Sequence, residues 1–88
     1  MKVIFGKLFS KDLIKIKDST LKDNVIQVII ALENVEDIQE IPNIKKMKGH
    51  PEAYRIRIGK YRLGFFFDGE VVELTRFAKR EDIYKLFP

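Results

Sequence analysis

The sequence predicts an α+β fold: two N-terminal helices packed on one face of a mostly antiparallel four-stranded sheet, in the order βααβββ with a short C-terminal helix. Three observations carry this. Leu21, Val25, Val28, Ile29, Leu32 and Val35 recur at the spacing of one helix face. Tyr54-Arg55-Ile56-Arg57-Ile58 and the start of Tyr61-Arg62-Leu63-Gly64-Phe65 alternate apolar with basic side chains, the period of a half-buried strand. Gly59-Lys60 and Asp68-Gly69 stand between apolar runs as two-residue hairpin turns.

Each element has its own reason. Lys2 to Phe5 is a short apolar strand. Ser10 reads as an N-cap with Asp12 in the first turn, opening a helix to about Lys17 that buries Phe9, Leu13 and Ile16. Asp18-Ser19-Thr20 ends it and caps the helix of the Leu21 to Val35 stripe, so the two form an αα-hairpin. Glu40 to Pro51 reads as a loop, interrupted by Pro42, Asn43, Gly49 and Pro51 and pinned to the core by Ile41, Ile44 and Met47. Strands follow at 53–58, 61–67 and 70–77. Their turns pair Arg57 with Arg62, Arg55 with Gly64, Gly64 with Glu73 and Tyr61 with Arg76, which reads as a structural or rim residue. One sheet face then carries Tyr54, Ile56, Ile58, Leu63, Phe65, Val72 and Leu74 and receives the helices. The other carries Arg55, Arg57, Arg62, Gly64, Phe66 and Glu73 and is expected to be open. Residues 79–87 are too few for an independent helix but enough for one or two docked turns.

Eighty-eight residues set the scale of one domain over 1–88. No apolar run approaches the ~18 residues of a membrane span, and the start lacks the apolar stretch and cleavage site of a signal peptide. The chain has no cysteine, in keeping with a reducing cytosol. Net charge is +4 and unevenly spread. Residues 41–88 hold eleven Lys/Arg against six Asp/Glu, whereas Glu33, Glu36, Asp37 and Glu40 cluster without a base. A basic half points to a polyanionic partner. Like charges directly opposite on a sheet cost stability, so pairing Arg57 with Arg62 points to an anion between them. Phosphate matches the arginine fork.

Tyr-Arg-Ile-Arg-Ile-Gly-x-Tyr-Arg at 54–62, Lys-Arg-Glu-Asp-Ile-Tyr at 79–84 and the approach Ile44-Lys45-Lys46-Met47-Lys48-Gly49, in this element order, resemble the RelE/ParE superfamily of type II toxin–antitoxin toxins. The resemblance covers essentially the whole chain. It implies a RelE-type, metal-independent endoribonuclease that needs no cofactor, acts in the cytoplasm on mRNA in the ribosomal A site and is neutralised by a cognate antitoxin. Position by position it places Arg55, Arg57, Arg62, Arg80 and Tyr84 at the catalytic site. Lys48, Phe66 and Lys79 are expected as further RNA-binding residues. The family's best-studied branch has lysines where this chain has Arg55 and Arg57. An arginine is a poor base for a ribose 2′-hydroxyl. The spacing from Arg80 to Tyr84 is also shorter than in that branch.

Alternatives stand beside several of these roles. Phe66 suits either base stacking or contact with the C-terminal segment. Tyr84 suits either the 2′-hydroxyl or core docking. Glu73 would hold Arg55 or Arg62, and His50 is a loop residue or a general acid–base. At the level of function, the rivals are a ParE-like toxin acting on DNA gyrase and a decayed toxin that only binds antitoxin or RNA.

Overall fold

A computed structural model describes residues 1–88, with β1 at Lys2–Phe5, α1 at Lys7–Ile14, α2 at Ser19–Asn34, a 3₁₀ turn at Ile38–Glu40, β2 at Ile44–Lys46, β3 at Ala53–Ile58, β4 at Tyr61–Phe67, β5 at Val71–Lys79 and α3 at Arg80–Leu86. The sheet has five strands in the order β1-β5-β4-β3-β2. β1 runs parallel to β5 and every other pair is antiparallel. The fifth strand is β2, inside the stretch that the sequence marks as loop. Three residues are too few to show a period of two, and Asn43 enters them with φ of 65°, a turn signal.

α1 begins at Lys7, and Ser10 is not its cap. Gly6 sets the start: its N–H donates to the Leu74 carbonyl at 2.8 Å, and a Cβ there would stand 2.5 Å from that oxygen. Only glycine lets the chain leave the sheet so closely. Asp18 does cap α2, its Oδ1 accepting from the N–H groups of Thr20 and Leu21. Val25, Ile29 and Leu32 of the α2 stripe are buried with Phe9, Ile56, Leu63, Phe65, Val72 and Leu74 in one core between the helices and the sheet. Burying each of the larger side chains contributes about 1.5–3 kcal/mol.

The β3–β4 register follows the sequence prediction, with Arg57 opposite Arg62 and Arg55 opposite Gly64. The β4–β5 register does not. Phe65 faces Leu74 and Phe66 faces Glu73, two residues beyond the prediction. The cause is Asp68, whose Oδ1 accepts from the N–H groups of Glu70 and Val71 and widens the turn. An even shift leaves the faces unchanged. Between Leu74 and Arg76 the ladder then slips once more, leaving Thr75 as a bulge. Gly64 now faces Arg76, Leu63 faces Phe77 and Arg62 faces Ala78. This odd step turns Phe77 into the core, and Arg76 lies opposite Gly64 rather than Tyr61. Asp12 of α1 holds the bulge: its carboxylate accepts from Arg76 Nε at 2.8 Å, Arg76 Nη2 at 3.1 Å and the Phe77 N–H at 3.0 Å. Arg76 is therefore structural, and its bond to Asp12 is the one ion pair of the molecule.

The second sheet face is not open along its whole length. α3 lies on it, and Ile83 and Phe87 pack with Ala53 in a small core that Met47, Phe66 and Ala78 border. The Phe87 ring covers Gly64 so closely that a Cβ there would approach it to 2.5 Å. Asp12→Ala removes the acceptor of the bulge and leaves the Phe77 N–H unpaired, with an expected loss of about 2–3 kcal/mol in urea unfolding. Asp12→Asn keeps an acceptor for that N–H and is expected to lose less. Equal losses for the two variants would show that the charge, not the backbone bond, matters.

Candidate functional site

β3 and β4 are interior strands of the sheet, and their outward positions aim Arg55, Arg57 and Arg62 to one side. The bulge and the strand end at Lys79 bring α3 over the same side, adding Arg80 and Tyr84. These five side chains line one concavity of about 360 Å³, with Asn43, Ile44 and Lys45 of the β2 edge forming its opposite wall. A second depression shares Arg57, Arg62 and Arg80 and continues through Gly59, Lys60, Lys79 and Glu81. Lys79 thus belongs to the groove. Lys48 and Phe66 line neither depression. The Phe66 ring packs on Phe87, centroids 5.0 Å apart. His50 borders a separate hollow with Pro51, Glu52, Ala53 and Phe66. Glu73 makes no ion pair with Arg55 or Arg62, since β5 carries it up beside Phe66.

None of the four pocket arginines pairs with a carboxylate. Arg57 Nη2 donates to Asn43 Oδ1 at 2.9 Å, and Arg62 Nη1 donates to the carbonyls of Tyr61 at 2.9 Å and Gly59 at 3.2 Å. The Arg55 guanidinium lies 4.8 Å from the Tyr84 ring centroid, a cation–π contact, and its Nη1 is shielded from solvent with no hydrogen-bond partner. Arg80 Nε donates to the Tyr84 hydroxyl at 3.5 Å, the long limit of such a bond. Partial desolvation, then repulsion from Arg80 and Arg57, holds the Arg62 guanidinium below its ordinary value. Arg80, by its hydrogen bond, and then Arg55 hold the Tyr84 phenol below the usual tyrosine range. The same bond raises Arg80. These groups would share a dianionic or phosphodiester oxygen set readily, because each added anion contact relieves repulsion among them.

Sequence reasoning missed Asn43, Lys45 and Lys60. No periodic signal marks Lys45: Ile44, Lys45, Lys46 and Met47 do not alternate, and Pro42, Asn43 and Gly49 around them favoured a loop.

Two helices on one sheet face, a short helix on the other and an arginine pocket between that helix and an edge strand define a toxin of the RelE/ParE superfamily. The chain matches the model of the ParE toxin of type II toxin–antitoxin systems, parDE, over residues 3–84 and belongs to that family. It is 36% identical to toxin RelE3 of Methanocaldococcus jannaschii over 89 residues, which covers 100% of both chains. Among solved structures it is similar to the RelB–RelE antitoxin–toxin complex of Methanococcus jannaschii, with a TM-score of 0.82 and 32% identity over 97% of this chain and 99% of that one. It shares its fold with the intact E. coli RelBE toxin–antitoxin complex, with a TM-score of 0.69 and 23% identity over 89% of this chain and 94% of that one.

The lowered Tyr84 phenol has a measurable sign. Its anion is favoured by Arg80 and Arg55, so its proton leaves at lower pH in the folded chain than in the unfolded one. The difference in phenolate absorbance between the parent and Tyr84→Phe should therefore show one tyrosine ionising early. Arg80→Gln should move that ionisation upward. An ordinary titration in the parent would mean that α3 does not hold Tyr84 against the arginines.

Proposed function

We propose that this toxin is a ribosome-dependent endoribonuclease that cleaves mRNA in the A site by attack of the ribose 2′-oxygen on the scissile phosphate. The observation that carries this reading is the convergence of Arg55, Arg57, Arg62, Arg80 and Tyr84 on one concavity with no carboxylate in it. Arg55 and Arg57 hold the phosphate. Arg62, tethered by its own hairpin carbonyls, stands ready for the charge that grows on the phosphoryl oxygens. Arg80 and Tyr84 face the leaving 5′-oxygen. Lys60 and Lys79 carry the strand away from the scissile bond. The toxin acts in the cytoplasm, and a cognate antitoxin neutralises it, in keeping with the RelE relatives solved as complexes with RelB.

Gyrase inhibition is the second reading, favoured by the parDE name of the matching family. Primer extension on ribosome-bound mRNA, run beside a gyrase supercoiling assay, separates the two. Cleavage without an effect on supercoiling supports the nuclease, and the reverse result replaces it.

Arg62→Ala should lower mRNA cleavage on the order of a hundredfold or more, by loss of a transition-state charge contact. It relieves the repulsion from Arg57, so stability should change by no more than about 1 kcal/mol. Leu63→Ala is the control. Leu63 is fully buried on the helix side, and its truncation should cost about 2–5 kcal/mol. A folded Arg62→Ala variant that cleaves at the parental rate would remove the arginine pocket from the mechanism.

A further inference from the structure

The nuclease reading leaves one chemical step without an owner. A ribose 2′-hydroxyl must lose its proton as it attacks phosphorus, and a base must take that proton. Arginine stays protonated at any working pH, so Arg55, Arg57, Arg62 and Arg80 are not suited to the task. His50 borders a different hollow. No Asp or Glu lines the concavity. The residues lining it that can offer a nitrogen or oxygen lone pair from an ionisable side chain are Lys45 and Tyr84. Tyr84 is hydrogen-bonded as an acceptor by Arg80 and lies under Arg55, a setting that favours giving up a proton rather than taking one.

Lys45 occupies the other wall. β2 pairs antiparallel with β3, and Lys45 stands directly opposite Arg55. Directly paired residues share a sheet face with their Cβ atoms about 4.5–5.5 Å apart, so the Lys45 amine and the Arg55 guanidinium reach into the same space. The edge position leaves Lys45 exposed and carries no core packing, so the side chain is free to swing over a bound phosphodiester. The charged groups facing it are Arg55 and Arg57 of β3, Arg62 of β4 and Arg80 of α3, with Tyr84 beside them. All four charges are positive, and all draw a phosphodiester toward the wall that presents the Lys45 amine.

Resting on the nuclease reading above, we infer that Lys45 is the general base of the reaction, a role displaced from the arginine strand β3 to the edge strand β2. The neutral Lys45 Nζ takes the 2′-hydroxyl proton as the 2′-oxygen bonds to phosphorus. The bond from phosphorus to the 5′-oxygen breaks, and that oxygen leaves with a proton from the Tyr84 phenol. The products are a 2′,3′-cyclic phosphate and a 5′-hydroxyl. Lys45 ends as ammonium and Tyr84 as phenolate, and exchange with water restores both.

The test is single-turnover cleavage of mRNA on programmed ribosomes by the parent, Lys45→Arg and Lys45→Ala, across a range of pH and with ribosome binding measured alongside. Lys45→Arg keeps the positive charge and the hydrogen-bond donors but cannot serve as a base. It should bind ribosomes as the parent does and cleave on the order of a hundredfold more slowly or worse, losing the limb of the profile that rises with pH. Added small alkylamines should restore cleavage to Lys45→Ala in proportion to their basicity. Both variants lie on an exposed edge and should melt with the parent. Parental cleavage by Lys45→Arg, or a defect wholly accounted for by weaker ribosome binding, overturns the role while the nuclease reading stands. Absence of rescue by amines likewise overturns it. A parent chain that cleaves no RNA overturns the nuclease reading and this role with it.

Discussion

The bulge at Thr75, and the carboxylate that holds it, is the constraint on which the site depends. β5 enters the sheet with Leu74 facing the helices. An unbroken ladder would then turn Phe77 toward the arginine face, where it would lie opposite Arg62. The inserted residue returns Phe77 to the core opposite Leu63 and puts the small Ala78 beside Arg62. β5 therefore ends with α3 starting on the arginine side, so that Arg80 and Tyr84 reach the pocket. Asp12 fixes this arrangement from the other face through Arg76 and the Phe77 N–H. Gly6 makes it possible, since α1 can carry Asp12 to the bulge only if the chain leaves β1 hard against the Leu74 carbonyl.

The same molecule treats its two sets of charge in opposite ways. Arg76, whose work is structural, receives a bidentate carboxylate and has its charge neutralised. The pocket arginines receive only neutral oxygens and a ring: Asn43 for Arg57, the turn carbonyls for Arg62, Tyr84 for Arg55. Such partners orient a guanidinium without cancelling its field. Carboxylates at these places would stabilise the empty protein and compete with phosphate. The repulsion between Arg57 and Arg62 is a local cost set against the burial of Leu63, Phe65 and Ile56 on the reverse of the same strands. Stability is thus gathered on one sheet face and charge on the other.

Legibility in the sequence followed the length and regularity of each element. The α2 stripe and the β3–β4 hairpin repeat their pattern often enough to define themselves, and with them the shared face of Arg55, Arg57 and Arg62. Arg80 and Tyr84 came to the site only through resemblance, because no local pattern says which sheet face a two-turn helix will cover. Ser10 misled because a good capping residue has no effect where a close backbone approach at Gly6 has already started the helix. The β5 register was hidden because an Asx turn at Asp68 and a bulge at Thr75 act through single hydrogen bonds and leave no periodic trace. β2 was hidden by its brevity, and with it Lys45 and Asn43.

What was hidden shares a structural character with what was inferred from resemblance. Arg55, Arg57 and Arg62 stand on the central hairpin, whose reverse side is part of a core of fifteen buried residues. Asn43 and Lys45 stand on a three-residue edge strand, and Arg80 and Tyr84 on a helix seated by a core of three buried residues. The pocket therefore has a fixed floor and two lightly anchored walls. Elements with few buried contacts open at lower free energy than the rest of a domain. Arg55, Arg57 and Arg62 are placed by the part of the fold with the larger core, while Lys45, Arg80 and Tyr84 are placed where small displacements are easiest. On the nuclease reading, the floor would hold a phosphate in register while the lightly anchored walls adjust around it.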